Sequence, residues 1–169
     1  DDDDDGSAMA HFRLEGALGI NQCLLINDND CVDMGLGAFA QAGFFYYMNR
    51  YFGLGLVASV SFMSDLSDTE AQQIRVLAAA RATLPLDILE LTAGVGLGLV
   101  RQSFSSYDLD DYGIEVEIFG VSVPLNARMG LFVWDGVLLG VDGTINVDLY
   151  ESGDMFVSAQ VGPFVEDVF

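Results

Sequence analysis

Met155-Phe-Val-Ser-Ala-Gln-Val-Gly-Pro-Phe-Val-Glu-Asp-Val-Phe169 closes the chain as a bare strand. Met155, Val157, Ala159, Val161, Pro163, Val165 and Phe169 share one parity, while Ser158, Gln160, Gly162 and Glu166 share the other. Successive strand side chains point to opposite sides, so this stretch carries one apolar and one polar face. The same two-residue rhythm runs all the way back to Phe12.

About eight strands can be drawn on that rhythm. The first sets Phe12, Leu14, Leu18 and Ile20 against Arg13, Glu15, Ala17 and Asn21. The second sets Leu36, Ala38, Ala40, Phe44 and Tyr46 against Gly35, Gly37, Gln41 and Gly43, and the third sets Phe52, Leu54, Leu56, Val60 and Phe62 against Gly53, Gly55, Ser59 and Ser61. In the fourth, Ile74, Val76 and Leu84 oppose Arg75, Arg81 and Thr83; in the fifth, Leu91, Val95, Leu97 and Leu99 oppose Glu90, Thr92, Gly94, Gly96 and Gly98. The sixth pits Val121, Leu125, Met129 and Leu131 against Ser122, Asn126, Arg128 and Gly130, and the seventh pits Val137, Leu139, Val141 and Ile145 against Asp142, Thr144, Asn146 and Asp148.

Composition narrows the class. At 169 residues the chain is about one domain long. It is 51% hydrophobic, with a mean hydropathy of +0.38, yet its formal net charge is -20. The carboxylates concentrate in short stretches and leave long segments almost uncharged. No apolar run approaches the ~20 residues a membrane helix needs, which excludes a helical membrane protein. Strong acidity argues against nucleic acid, which requires basic patches. Residues 1–10 are acidic, lack apolar periodicity and read as a cloning scar or an acidic leader; residues 11–169 form the folded unit.

The connections alternate in kind. Those near Asn49, Asp87 and Asp135 are short; those around Asn27–Asp30, Asp65–Glu70, Tyr107–Tyr112 and Glu151–Asp154 read as longer and acidic. Long strands of even number, tight turns at one end and loops at the other are what a bacterial transmembrane barrel requires. An open sheet edge in lipid would leave backbone groups unsatisfied, so the sheet has to close. The expected fold is all-β: an eight-stranded antiparallel up-and-down transmembrane β-barrel. A soluble lipocalin-like barrel, with the apolar face turned inward, is the alternative; its exterior would be rich in glycine and poor in charge.

Here the residues resemble the small eight-stranded outer-membrane barrels of the OmpA and OmpX type, over essentially all of Phe12 to Phe169. The resemblance implies an outer-membrane location with termini periplasmic and loops extracellular, contact with lipids and lipopolysaccharide, a monomer, and no cofactor. Val161, Val165 and the terminal Phe169 look like the insertion signal read by the barrel-assembly machinery in this family, with Asp167 a departure from it. Phe44, Tyr46 and Phe52 stand where the family's aromatic girdle belongs, near the tight turns; Phe62 and Phe104 are candidates for the opposite rim. With the sequence stopping at the barrel, the expected likeness is to the stand-alone OmpX-like members, which lack the peptidoglycan-binding domain that follows the barrel in OmpA.

The inward face would carry Arg13, Glu15, Arg75, Arg81, Glu90, Arg128, Asp142, Asp148 and Glu166. Counting from a turn at Asp135 places Arg128 directly across from Asp142, with Arg81, Glu15 and Glu166 at similar heights. An eight-stranded barrel is just wide enough for its own side chains, and an unpaired buried charge is costly, so these groups should pair. They would act as a plug, or as a breakable salt-bridge gate. Phe39, Phe45, Tyr47, Phe132 and Trp134 would help close the lumen.

Cys23 and Cys31 flank the first loop at equal distances from Asn27, which suits a disulfide across the hairpin; two separate thiols are the alternative. Two Cys without a neighbouring His make no metal site. Asp28, Asp30 and Asp33, or Asp108, Asp110 and Asp111, offer hard oxygen ligands for divalent cations, though solvated loop tips fit the same pattern. The sole histidine, His11, sits at the wrong end of the barrel for the lipid-processing enzymes of this class, so no enzymatic activity is expected. The expected role is structural or interactive, through membrane integrity or acidic loops meeting partners; the alternative is an OmpW-like channel for small or hydrophobic molecules.

Overall fold

The computed structural model describes residues 11–26, 29–30, 36–64, 69–106 and 114–169. Alternating apolar and small or polar residues give β1 (His11–Ile26), β3 (Gly37–Asn49), β4 (Phe52–Ser64), β5 (Thr69–Leu86), β6 (Leu89–Ser106), β7 (Ile114–Trp134), β8 (Val137–Tyr150) and β9 (Met155–Val168). A two-residue piece, β2 (Asn29–Asp30), pairs with the end of β1. Each long strand pairs antiparallel with its sequence neighbour, and β9 returns to β1, closing an eight-strand barrel.

Three two-residue turns close one end. Asn49 Oδ1 accepts hydrogen bonds from the backbone N–H of Tyr51 (2.8 Å) and Phe52 (3.0 Å), a local bond that Asn side chains make readily. Asp87 (φ 55) and Gly136 (φ 80) take the left-handed conformation that tight hairpins demand. Both termini share this end, where Phe12 and Phe169 exchange backbone hydrogen bonds of 2.8 and 2.9 Å. At the opposite end the Glu151–Asp154 connection has four residues against two in these turns, and it is folded by bonds from Tyr150 N–H to Asp154 C=O and from Gly153 N–H to Tyr150 C=O, both 2.9 Å.

Burial is inverted relative to a water-soluble protein. Leu18, Leu56, Leu97 and Leu99 stand on the outside at 60–71% exposure, while Arg75, Asp142 and Asp148 are completely buried. That distribution excludes the soluble barrel. Between Asp167 at one rim and Arg101 with Glu117 at the other, the outer face of the described strands carries no charged side chain. On β5 this apolar face runs from Ile74 to Leu84, about 33 Å along the strand at ~3.3 Å per residue, or about 25 Å along the membrane normal at a ~40° tilt, the height of an outer-membrane apolar band.

The strands are unequal in length. β5, β6 and β7 have 18, 18 and 21 residues, against 13 in β3 and β4 and 14 in β8 and β9. Their surplus rises beyond the apolar band at the loop end and carries Glu70, Gln72, Ser103 and Glu117 on its outer face. The stretch from Ile114 to Phe119 therefore extends the third hairpin and adds no ninth stave.

Candidate functional site: the barrel lumen

The lumen is built in layers. Near the tight turns, Arg13 donates to Glu90 (Nη1 to Oε1, 2.6 Å; Nη2 to Oε2, 3.1 Å) and to Glu166 (2.7 Å). One step deeper, Arg81 forms a forked pair with Glu15, whose second bond is 2.9 Å. Arg128 bonds Glu15, Asp142 and, at 3.2 Å, Glu166. All seven groups are at most 6% exposed. Bidentate, charge-assisted contacts of this kind are the strong class of hydrogen bond. Each guanidinium also lies over an aromatic ring: Arg13 over Tyr47 at 4.0 Å, Arg81 over Phe45 at 3.6 Å and Arg128 over Phe164 at 4.3 Å.

Glycine makes room for this packing. A Cβ on Gly43 would run into the Glu15 carboxyl, and one on Gly53 would lie 2.8 Å from the Tyr47 ring. The Gly94–Gly98 run sits within β6, and a Cβ at Gly96 would meet the Pro124 ring at 2.8 Å. Above this layer a cavity of about 30 Å³ reaches Ser59, Asn126, Thr144 and Asn146, room for a water or two.

A second ionic layer follows. Arg75 and Asp148 pair at 2.6 Å, and Arg75 also donates to Gln73 (2.6 Å) and Ser61 (3.2 Å). Gln73 in turn donates to Gln102 (3.2 Å) and to the Tyr150 hydroxyl (3.3 Å). Around it, among the described residues, Asn21 has no partner for either amide atom, and Ser122 Oγ, Gln102 Nε2 and Gln160 Nε2 are likewise buried without one. Buried polar atoms in that state call for ordered water.

At the loop end the chemistry changes. Cys23, Met63, Ala71, Val100, Tyr150 and Phe156 form a buried apolar layer, flanked by Ile26, Phe104 and Ile118. Outside it a groove of about 690 Å³ lies among Ile20, Ala38 and Phe62, with Met63 and Ala71 behind and Glu70, Gln72 and Ser103 at its polar edge.

All nine expected inward charges thus lie in the lumen, and Arg128 and Asp142 are direct cross-strand partners. Phe39, Phe45 and Tyr47 are buried inside, and Phe132 is partly buried against Leu138 and Phe164. Trp134 is not inside: it is 71% exposed. A register shift between Phe132 and Trp134 inserts one residue and flips the parity. Phe104 is no outer-rim residue either, because it shares the inward parity of Val100 and Gln102 and packs on the apolar layer; Phe119, 52% exposed, is the outward aromatic there. Phe44, Tyr46 and Phe52 face outward at the tight-turn rim, and Phe12 joins them with ring centroids 5.5 Å from Phe44 and 5.3 Å from Tyr46. Val161, Val165 and Phe169 are outward and exposed on the last strand. Cys23 is disulfide-bonded; Cys31 lies outside the described residues, as do Asp28, Asp33, Asp108, Asp110, Asp111 and the side chain of Asp30.

No protein-family model matches the chain, and no curated protein sequence does. Among solved structures it is similar to Neisserial surface protein A (NspA), with a TM-score of 0.66 at 13% identity, covering 94% of this chain and 96% of that one. It is similar to Ail, the attachment invasion locus protein of Yersinia pestis, with a TM-score of 0.60 at 10% identity, covering 95% and 99%. The outer membrane protease OmpT from Escherichia coli also shares the architecture, with a TM-score of 0.51 at 9% identity, covering 96% and 98%. Closed antiparallel topology, an apolar exterior and these neighbours agree: the chain folds as a small eight-stranded outer-membrane β-barrel.

Proposed function

We propose that this chain is an integral protein of the bacterial outer membrane with a plugged lumen, whose working surface is its loop end. In this reading both termini face the periplasm, the loops face outward, and the role is to reinforce the membrane and to engage partners. The observation that carries it is the free edge of β7. Its upper part pairs with β6 (Ser106↔Ile114 to Arg101↔Phe119), whereas β8 joins β7 only from Gly120↔Tyr150. Among the described residues nothing pairs with Ile114–Ile118 on that side. A free edge above the apolar band is a template for strand addition.

Val116 and Phe119 are exposed beside that edge, and Glu117 gives it acidic character despite its ion pair with Arg101. The chemistry suits an extended, basic partner segment. Divalent cations bridging the acidic loops to lipopolysaccharide phosphates belong to the same reading, as does recognition of Val161, Val165 and Phe169 by the barrel-assembly machinery. A disulfide from Cys23 to Cys31 would tie the first loop to the rim.

Two measurements test it. Detergent-solubilised protein should migrate faster on a gel unboiled than boiled, and protein stripped of detergent should precipitate. A photo-crosslinker at Val116 in intact cells should capture a discrete partner, and capture should fall when Glu117 is replaced by Lys; absence of any adduct at Val116 or Phe119 would remove the interaction role. A second reading, an OmpW-like route for small hydrophobic molecules, draws support from the groove beside Phe62; the charged lumen opposes it.

A further inference from the structure

We infer that the seal against ions in this barrel is the apolar layer at the loop end, and that the ion-pair layers beneath it are wet and passable. The inference rests on the plugged-lumen reading above and names the layer responsible.

The two kinds of layer differ in what they offer a passing ion. In the ionic layers, carboxylates, guanidiniums and amides can replace lost hydration, and the unpartnered buried atoms of Asn21, Gln102, Ser122 and Gln160 require water there. In the apolar layer Cys23, Met63, Ala71, Val100 and Phe156 offer a bare ion nothing in exchange for its water, which is very costly. Tyr150 completes the separation, because its ring lies in the apolar layer while its hydroxyl turns back to accept from Gln73. Hydrophobic constrictions of this sort gate by dewetting.

The wall is shaped to build this layer. Every long strand except β3 contributes a side chain to it or against it. On β1, a bulge between Cys23 and Leu25 shifts the register, so that Ile26 joins Cys23 on the inner side where strict alternation would have turned it outward. β3 starts at Gly37, where a Cβ would strike the Phe62 carbonyl and lie 2.9 Å from Met63. Met63 thereby covers the part of the wall where β3 contributes no side chain to the layer.

Planar-bilayer conductance of the refolded full chain tests this. Met63→Gln and Val100→Thr nearly preserve side-chain size while wetting the layer, and Phe156→Ala opens it; each variant is first checked for the folded gel shift. Wild type should be silent, at least one folded lid variant should show steady conductance, and Arg75→Gln combined with Asp148→Asn should stay silent. Silence of all folded lid variants, or conductance in the Arg75/Asp148 variant with the lid intact, would overturn the inference. A conducting wild type would instead overturn the plugged-lumen reading itself.

Discussion

Arg75 and Asp148, 73 residues apart on β5 and β8, meet across the lumen at 2.6 Å with neither side chain exposed. Two buried charges that satisfy one another this way are costly to separate, since either alone leaves an uncompensated charge. Removing one partner of a buried pair typically destabilises by about 3–5 kcal/mol. Arg75→Ala and Asp148→Ala should each lower the unfolding free energy from urea titration in phospholipid vesicles by that order, and the double variant should recover much of the loss. Additive losses in the double-mutant cycle would show that the pair does not act as a unit.

Gly43 faces the Glu15 carboxyl, which two arginines hold in place. Gly43→Ala should displace that carboxyl and destabilise the folded barrel by roughly 1–3 kcal/mol, the range for strained or overpacked core sites. Gly153 is a contrast, because nothing lies within 4 Å of its Cβ position and only its φ of +88° resists substitution. Gly153→Ala should cost about 1 kcal/mol through backbone strain alone. Equal effects at the two sites in vesicle unfolding would count against steric crowding in the lumen.

Leu56 sits on the outer face between Phe52 and Phe62 and is 64% exposed. If lipid covers that face, Leu56→Arg should cost about 2–4 kcal/mol, and Phe62→Arg near the rim should cost less, about 0–1 kcal/mol for the charge itself. A flat profile across the two positions would place the bilayer elsewhere.

Phe169 makes two backbone hydrogen bonds to Phe12 and exposes 61% of its surface outward. Deleting it should slow assembly by the barrel machinery far more than it lowers the unfolding midpoint of protein already folded. Pulse-chase appearance of the heat-modifiable band measures the first and urea titration the second; an unchanged assembly rate would strip Phe169 of the signal role.

The hairpin contacts were legible from the sequence and the lumen's long-range chemistry was not. Arg128 and Asp142 follow from counting outward from a turn centred on Asp135; the two-residue turn at Asp135 and Gly136 alone would set Arg128 against Gly143, and the register shift between Phe132 and Trp134 restores the pairing with Asp142. The Arg75–Asp148 pair depends on how the closed sheet staggers, which no local pattern encodes. Trp134 went astray because one inserted residue inverts everything beyond it. Met63, Val100 and Phe156 carry the inward parity of Ser61, Gly98 and Ser158, but parity says only which side a residue faces; that they meet at one height as a lid depends on how the closed sheet staggers. Cation–π stacking of Arg13, Arg81 and Arg128 needs ring positions on neighbouring strands.

The alternation that divides the wall into an oily outside and a charged inside has a consequence for the chain before it folds. Every stretch destined for lipid is interrupted within a few residues by glycine, a polar side chain or an ionised group, so no segment presents a continuous apolar run of the ~20 residues that would be retained as a membrane helix. A polypeptide of this kind can be threaded through the inner membrane without being halted there, and its affinity for lipid emerges only when the strands pair and the two parities separate. The property that lodges the finished barrel in its membrane is therefore hidden during export.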